Sequence, residues 1–159
     1  MNETYLDMLE DSLRKKREVL KSLYKDCELQ RDILKAEDTL DETGFDDAVA
    51  RKGDLIRQLE ELNDGFADIY DRVRIELEQD KHKYRDRIGR MQELIREVTD
   101  LGNSVEAIER RNKKLAENYF SNRRQDINRN RKTNQAALDY YLNMNNSRIT
   151  PPQFYDRKN

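Results

Sequence analysis

The sequence predicts an all-α protein, an elongated antiparallel bundle of three long helices followed by an extended, partly mobile C-terminal segment. Three observations carry this. Leu6, Leu13, Leu20, Cys27 and Leu34 recur every seven residues, with Leu9 and Leu23 at three-residue offsets. That spacing keeps them on one helical face. Glycine (5) and proline (2) are scarce among 159 residues. Two further apolar stripes follow, separated from the first and from each other by polar breaks.

The first helix is expected over residues 4–40. Thr4 and Asp7 have capping-box spacing, and Asp7 also lies near the positive end of the helix dipole. The resulting rod is roughly 55 Å long. Asp41-Glu42-Thr43-Gly44 is the clearest punctuation. Gly44 can adopt the left-handed conformation, and Thr43 with Asp46 offers a cap. So short a loop joins antiparallel neighbours.

The second helix is expected over 45–79, with Phe45, Leu55, Leu59, Leu62, Phe66, Ile69 and Val73 on its stripe. Lys52 interrupts that stripe. It reads as a lysine snorkelling at the bundle edge, with a polar register-setting residue as the alternative. Residues 78–83 are wholly polar, which places a turn near Asp80–Lys83, and the lone His82 reads as a solvated turn residue.

The third helix is expected over 83–120, carrying Tyr84, Ile88, Met91, Ile95, Val98, Leu101, Val105, Ile108, Leu115 and Tyr119. Gly102-Asn103-Ser104 is read as a phase slip within a continuous helix. Residues 121–159 form a tail, rich in Asn and Arg up to Gln135. It then carries an apolar island around Leu138, Tyr141 and Leu142, before Pro151-Pro152 bars further helix.

Charge is unevenly placed. Residues 1–109 hold 19 Lys/Arg against 29 Asp/Glu, whereas residues 110–132 hold nine basic residues against two acidic ones. Nine cations in that stretch would suit phosphates, but the acidic body opposes nucleic acid. Binding through 110–132 is therefore the weaker alternative, and retention on heparin at physiological salt is its test.

Chemistry is sparse. There is no glycine-rich phosphate loop, no HExxH motif and no second cysteine or histidine. Neither an enzyme, a metal nor a cofactor is expected. A single cysteine forms no internal disulfide, and Cys27, standing where a leucine would, reads as a small buried hydrophobe. No signal-like run and no stretch of about twenty apolar residues is present, so a cytoplasmic protein without membrane contact is expected.

Partner binding remains. The apolar rows are expected to be incompletely covered by the chain itself, leaving a groove for an amphipathic helix. Ile108, Leu115, Tyr119, Leu138, Tyr141 and Leu142 are the expected anchors, because they sit where the bundle's own partners run out. The competing reading is a structural coiled-coil spacer without a client. Light scattering separates the two, because a spacer is a stable long oligomer and a chaperone a monomer or weak homodimer.

The helix-one leucine pattern, Lys52-Gly53-Asp54-Leu55-Ile56-Arg57-Gln58-Leu59, the run from Leu62 through Phe66-Ala67-Asp68-Ile69-Tyr70, and Asn112-Lys113-Lys114-Leu115 together resemble the FlgN-type flagellar export chaperones. The closing Met144-Asn145-Asn146 to Pro151-Pro152-Gln153-Phe154 is similar to tails of FlgN-like and FliT-like proteins. The resemblance covers most of residues 6–120. The run of cations across 110–132 does not map onto the family pattern. The resemblance implies a cytoplasmic chaperone of type III flagellar export. Such a protein binds C-terminal helices of FlgK-like and FlgL-like hook–filament junction proteins, prevents early assembly and delivers them to the export apparatus.

Overall fold

A computed structural model describes residues 3–36 and 40–122 of the chain. Three α-helices make up almost all of it: α1 (Glu3–Lys35), α2 (Glu42–Gln79) and α3 (Arg85–Asn122). They are 33, 38 and 38 residues long, so about 50 to 57 Å each at the helical rise. The chain runs up, down and up. Asp26 meets Arg51 and Ser12 meets Leu62, so α1 and α2 are antiparallel. Glu10 meets Arg87 and Arg17 meets Glu97, so α1 and α3 run the same way.

The helix ends differ from expectation for identifiable reasons. Glu3 is already helical, so Thr4 is not the cap of α1. At its other end α1 stops at Lys35 rather than reaching Leu40. Beyond Leu34 the next positions of the two core rows are Glu37 and Asp41, so further helix would have no apolar face to bury. Leu40 instead turns into the end of the core. Asp41, not Thr43, caps α2, its Oδ1 accepting from Gly44 N at 3.0 Å. Gly44 is helical, and no described residue has positive φ. A Cβ on Gly44 would crowd the Asp41 carboxylate in its capping position, so a larger residue there requires that side chain to shift.

The turn between α2 and α3 forms without glycine or proline. Asp80 N donates to Glu76 O at 2.9 Å, and Tyr84 N donates to Asp80 O at 3.3 Å. Tyr84 is buried, and its hydroxyl reaches Glu76 Oε2 at 3.2 Å, pinning the reversal to the end of α2. His82 is exposed within the turn. From Arg85 the helix continues unbroken through Gly102-Asn103-Ser104.

The core is divided along the bundle. One end packs Leu6, Leu9 and Leu13 with Phe66, Val73, Leu77, Tyr84, Met91 and Ile95. The middle packs Leu20, Leu23 and Cys27 with Leu59, Val98, Val105 and Ile108. The far end packs Leu34, Leu40, Phe45, Ala116 and Phe120. Between the first two lies Lys16, 3% exposed, donating to Asn63 Oδ1. Between the last two lies Lys52, wholly buried, donating to Gln30 Oε1 and to Glu109 Oε1. Each polar layer therefore holds a lysine within the stack of apolar ones.

Three helix-interior glycines lie where a methyl group has room. A Cβ on Gly53, Gly65 or Gly89 would meet nothing within 4 Å. Replacing each by alanine should stabilise the bundle by about 0.5–1 kcal/mol, since glycine loses more backbone entropy in a helix. Urea unfolding of the triple variant tests this, and an unchanged midpoint would contradict it.

Candidate partner-binding surface

The three sides of the bundle are not alike. α1 packs along both α2 and α3, whereas the backbones of α2 and α3 hardly approach each other. The α1–α3 side is stitched by charge. Arg87 Nε donates to Glu10 Oε1 at 2.7 Å, Arg90 reaches the same oxygen at 3.3 Å, and Arg17 pairs with Glu97 at 3.0 Å. On the α1–α2 side Arg51 pairs with Asp26 at 3.0 Å. Across the α2–α3 gap the long Lys52 side chain meets Glu109.

These contacts set the phase of each helix. Residues on the α2 edge away from Arg51 and Leu62 belong to the α2–α3 side, as do residues on the α3 edge away from Arg90 and Glu97. That side carries Val49, Ile56 and Tyr70, half-buried, and Asn63 and Leu77, buried, in seven-residue steps along α2. Opposite them along α3 stand half-buried Ile88, then Ile95, Gly102, Glu109 and Ala116, which are buried.

The polar layer beneath is unusual in composition. Cys27 Sγ donates to Glu109 Oε1 at 2.7 Å, and Asn112 Nδ2 donates to Cys27 O at 2.9 Å. Burial pushes the Cys27 thiol pKa up, outweighing the opposing effect of Lys52, so the sulfur stays protonated. Cys27 is thus buried as its place in the ladder implies, but it is also a donor in a polar network. Native protein should react with a thiol reagent such as DTNB only as fast as it unfolds; rapid labelling without denaturant would show the thiol to be accessible. Gln30 Nε2, Glu109 Oε2 and Asn112 Oδ1 are buried without a protein hydrogen-bond partner. Their amide orientations follow from the bonds that Gln30 Oε1 and Asn112 Nδ2 already make.

Lys52 does not snorkel, because no part of its residue reaches solvent; the register-setting alternative describes it better. The signal was present. Lys16 and Gln30 fall seven residues from Leu9 and Leu23, on the same row, and Lys52 falls seven from both Phe45 and Leu59.

The expected anchors are dispersed. Ile108 is 3% exposed in the middle cluster, within the bundle rather than facing a partner. Leu115 and Tyr119 are half-buried against the far-end cluster, where the Tyr119 ring meets Phe120 edge-on at 5.4 Å. Leu138, Tyr141 and Leu142 lie outside the described residues. Of the basic stretch, Arg110, Arg111, Lys113 and Lys114 are described; they spread around α3 rather than forming one stripe.

The apolar rows themselves are closed. Leu6, Leu9, Leu20, Leu23, Cys27, Phe45, Leu59, Val98 and Val105 are buried within the chain, contrary to the expectation of incompletely covered rows. Met8, Leu29 and Ile75 are the large apolar side chains exposed among the described residues, and they are scattered. The α2–α3 side is the one along which the backbones approach least, although its α3 row from Ile95 to Ala116 is buried. No group of His, Cys, Asp and Glu among the described residues is arranged to hold a metal. No described helix is long and apolar enough to cross a membrane. Comparison of the chain with protein-family models, with curated proteins and with solved structures found no match.

Proposed function

We propose that this chain is a non-enzymatic, cytoplasmic chaperone that holds an amphipathic helix of another protein, of the flagellar export type that its sequence resembles. The single observation that carries the reading is the asymmetry of the bundle: α2 and α3 each lie along α1 and scarcely along each other. A helix laid between them would complete a four-helix arrangement. The clients on this reading are C-terminal helices of FlgK-like and FlgL-like hook–filament junction proteins. These remain unassembled until export and need a temporary apolar partner. Release requires a moderate affinity, micromolar to nanomolar, or roughly −8 to −12 kcal/mol.

Co-purification of the tagged chain with each junction protein from the same cell, followed by calorimetry with its C-terminal segment, tests the proposal. A stoichiometric complex in that affinity range is the expected result. Failure of both junction proteins to bind sinks the export assignment. Deleting residues 133–159 separates the roles of the tail and the bundle, and unchanged client affinity would refute the tail anchors Leu138, Tyr141 and Leu142.

A further inference from the structure

The α2–α3 side has a charge pattern as well as the widest backbone spacing. Along its floor, Ile56 and Tyr70 on α2 and Ile88 on α3 are half-buried. Gly53 and Ala67, both exposed, stand one turn outward on α2 from that floor. A Cβ on Gly53, or on Gly89 of α3, would meet nothing within 4 Å. Small residues at such an edge let another backbone come close.

The two outer edges differ in sign. That of α2 carries Asp46, Glu60, Asp71 and Glu78 among Arg57 and Arg74, and Arg57 is already paired with Asp54. That of α3 carries Arg85, Arg96, Arg110 and Lys113 among Glu106 and Glu117, and Arg96 is already paired with Glu93. The channel thus runs between an acidic rail and a basic one.

The geometry points to one class of occupant: an amphipathic helix of a client whose apolar stripe rests on Ile56, Tyr70 and Ile88 and whose two flanks are oppositely charged, cationic against α2 and anionic against α3. This rests on the helix-binding reading above and adds where the client sits and which helices it selects. Unlike charges across both rails favour such a helix, whereas a helix with two like flanks meets repulsion on one side. A strongly basic segment such as residues 123–132 satisfies only the α2 rail.

Three synthetic helical peptides with one shared apolar stripe supply the probe. Their flanks are Lys/Glu, Lys/Lys and Glu/Glu, and each is titrated calorimetrically into the full chain. The Lys/Glu peptide is expected to bind at least about tenfold more tightly than either other. It should beat Lys/Lys even though residues 1–109 are net acidic, and its advantage should shrink with added salt. Amide exchange should slow around Ile56, Tyr70 and Ile88. Gly53→Trp, checked for unchanged thermal unfolding, should weaken binding about tenfold by filling the seat; Ala67→Trp serves the same end if Gly53→Trp does not fold. Equal affinities for the three peptides, or protection centred on Leu115 and Tyr119, would overturn the inference. So would extra protection of this side that grows with the concentration of the chain alone, which would place a second copy there. Export function fails separately: junction proteins that bind at the end of α3 leave the chaperone reading and sink the channel. Selective Lys/Glu binding without any junction-protein complex does the reverse.

Discussion

Lys52→Ala is expected to destabilise the bundle by about 3–5 kcal/mol, the usual cost of removing one partner from a buried ion pair. The side chain has no exposure, and its ammonium lies against Glu109 Oε1 and Gln30 Oε1. Truncation strands the Glu109 carboxylate, which is 1% exposed and already has Oε2 without a protein partner. The reciprocal Glu109→Ala leaves a buried ammonium and should cost a similar amount. Lys52→Met with Glu109→Leu removes both charges and keeps the volume. It should recover only part of the loss, because the desolvation of two ions disappears with them but the buried Gln30 amide loses the partner of its Oε1. Urea unfolding of the two single variants and the double variant closes the cycle. Losses below about 1 kcal/mol for both single variants would show that the pair is solvated and that the polar layer does not exist as described.

The second large effect has the opposite sign. Lys16 sits between two apolar layers with Asn63 Oδ1 as acceptor, and burial pushes its pKa from 10.5 down to about 7. The folded state therefore resists protonating a group that the unfolded chain protonates freely. Between about pH 7 and 10.5 the unfolded state holds more protons on this residue, so its contribution to stability rises with pH. At and below pH 7 the penalty is nearly complete. Lys16→Met with Asn63→Leu should then stabilise the protein at pH 7 by about 2–4 kcal/mol. That advantage should shrink as pH rises toward 10. Unfolding of parent and variant at pH 6, 7, 8 and 9.5 measures it. A constant difference would mean that Lys16 keeps its ordinary pKa, with its ammonium reaching water.

Both predictions concern what a helical export chaperone would need. Two buried lysines, each contributed by or bonded to α2, hold this helix in place by directional contacts rather than by fit alone. Polar layers fix register and exclude slipped alternatives at some cost in stability. The Lys52 layer lies one helical turn from Ile56, at one end of the proposed seat.

Local patterning was enough for the all-α class, the run of three long helices and a turn near Asp80–Lys83, which the structure extends to Tyr84. Each depends on local periodicity: seven-residue rows make helices, and a lapse in the row removes the reason to continue one. Continuity through Gly102 was expected, but as a phase slip; no slip is present, because Met91, Val98, Val105 and Asn112 stay buried at seven-residue steps across it. Tertiary structure alone decided the rest. A lysine on a core row is identical in sequence whether its head reaches water or a partner's carboxylate, and only the approach of Glu109, 57 residues further along, settled that for Lys52. The anchors misplaced Ile108 for the same reason, because exposure depends on which neighbour lies across the gap. Which pair of helices lies apart is likewise a relation between helices. It follows from how α2 and α3 are spaced around α1, and no periodicity within a single helix encodes that distance.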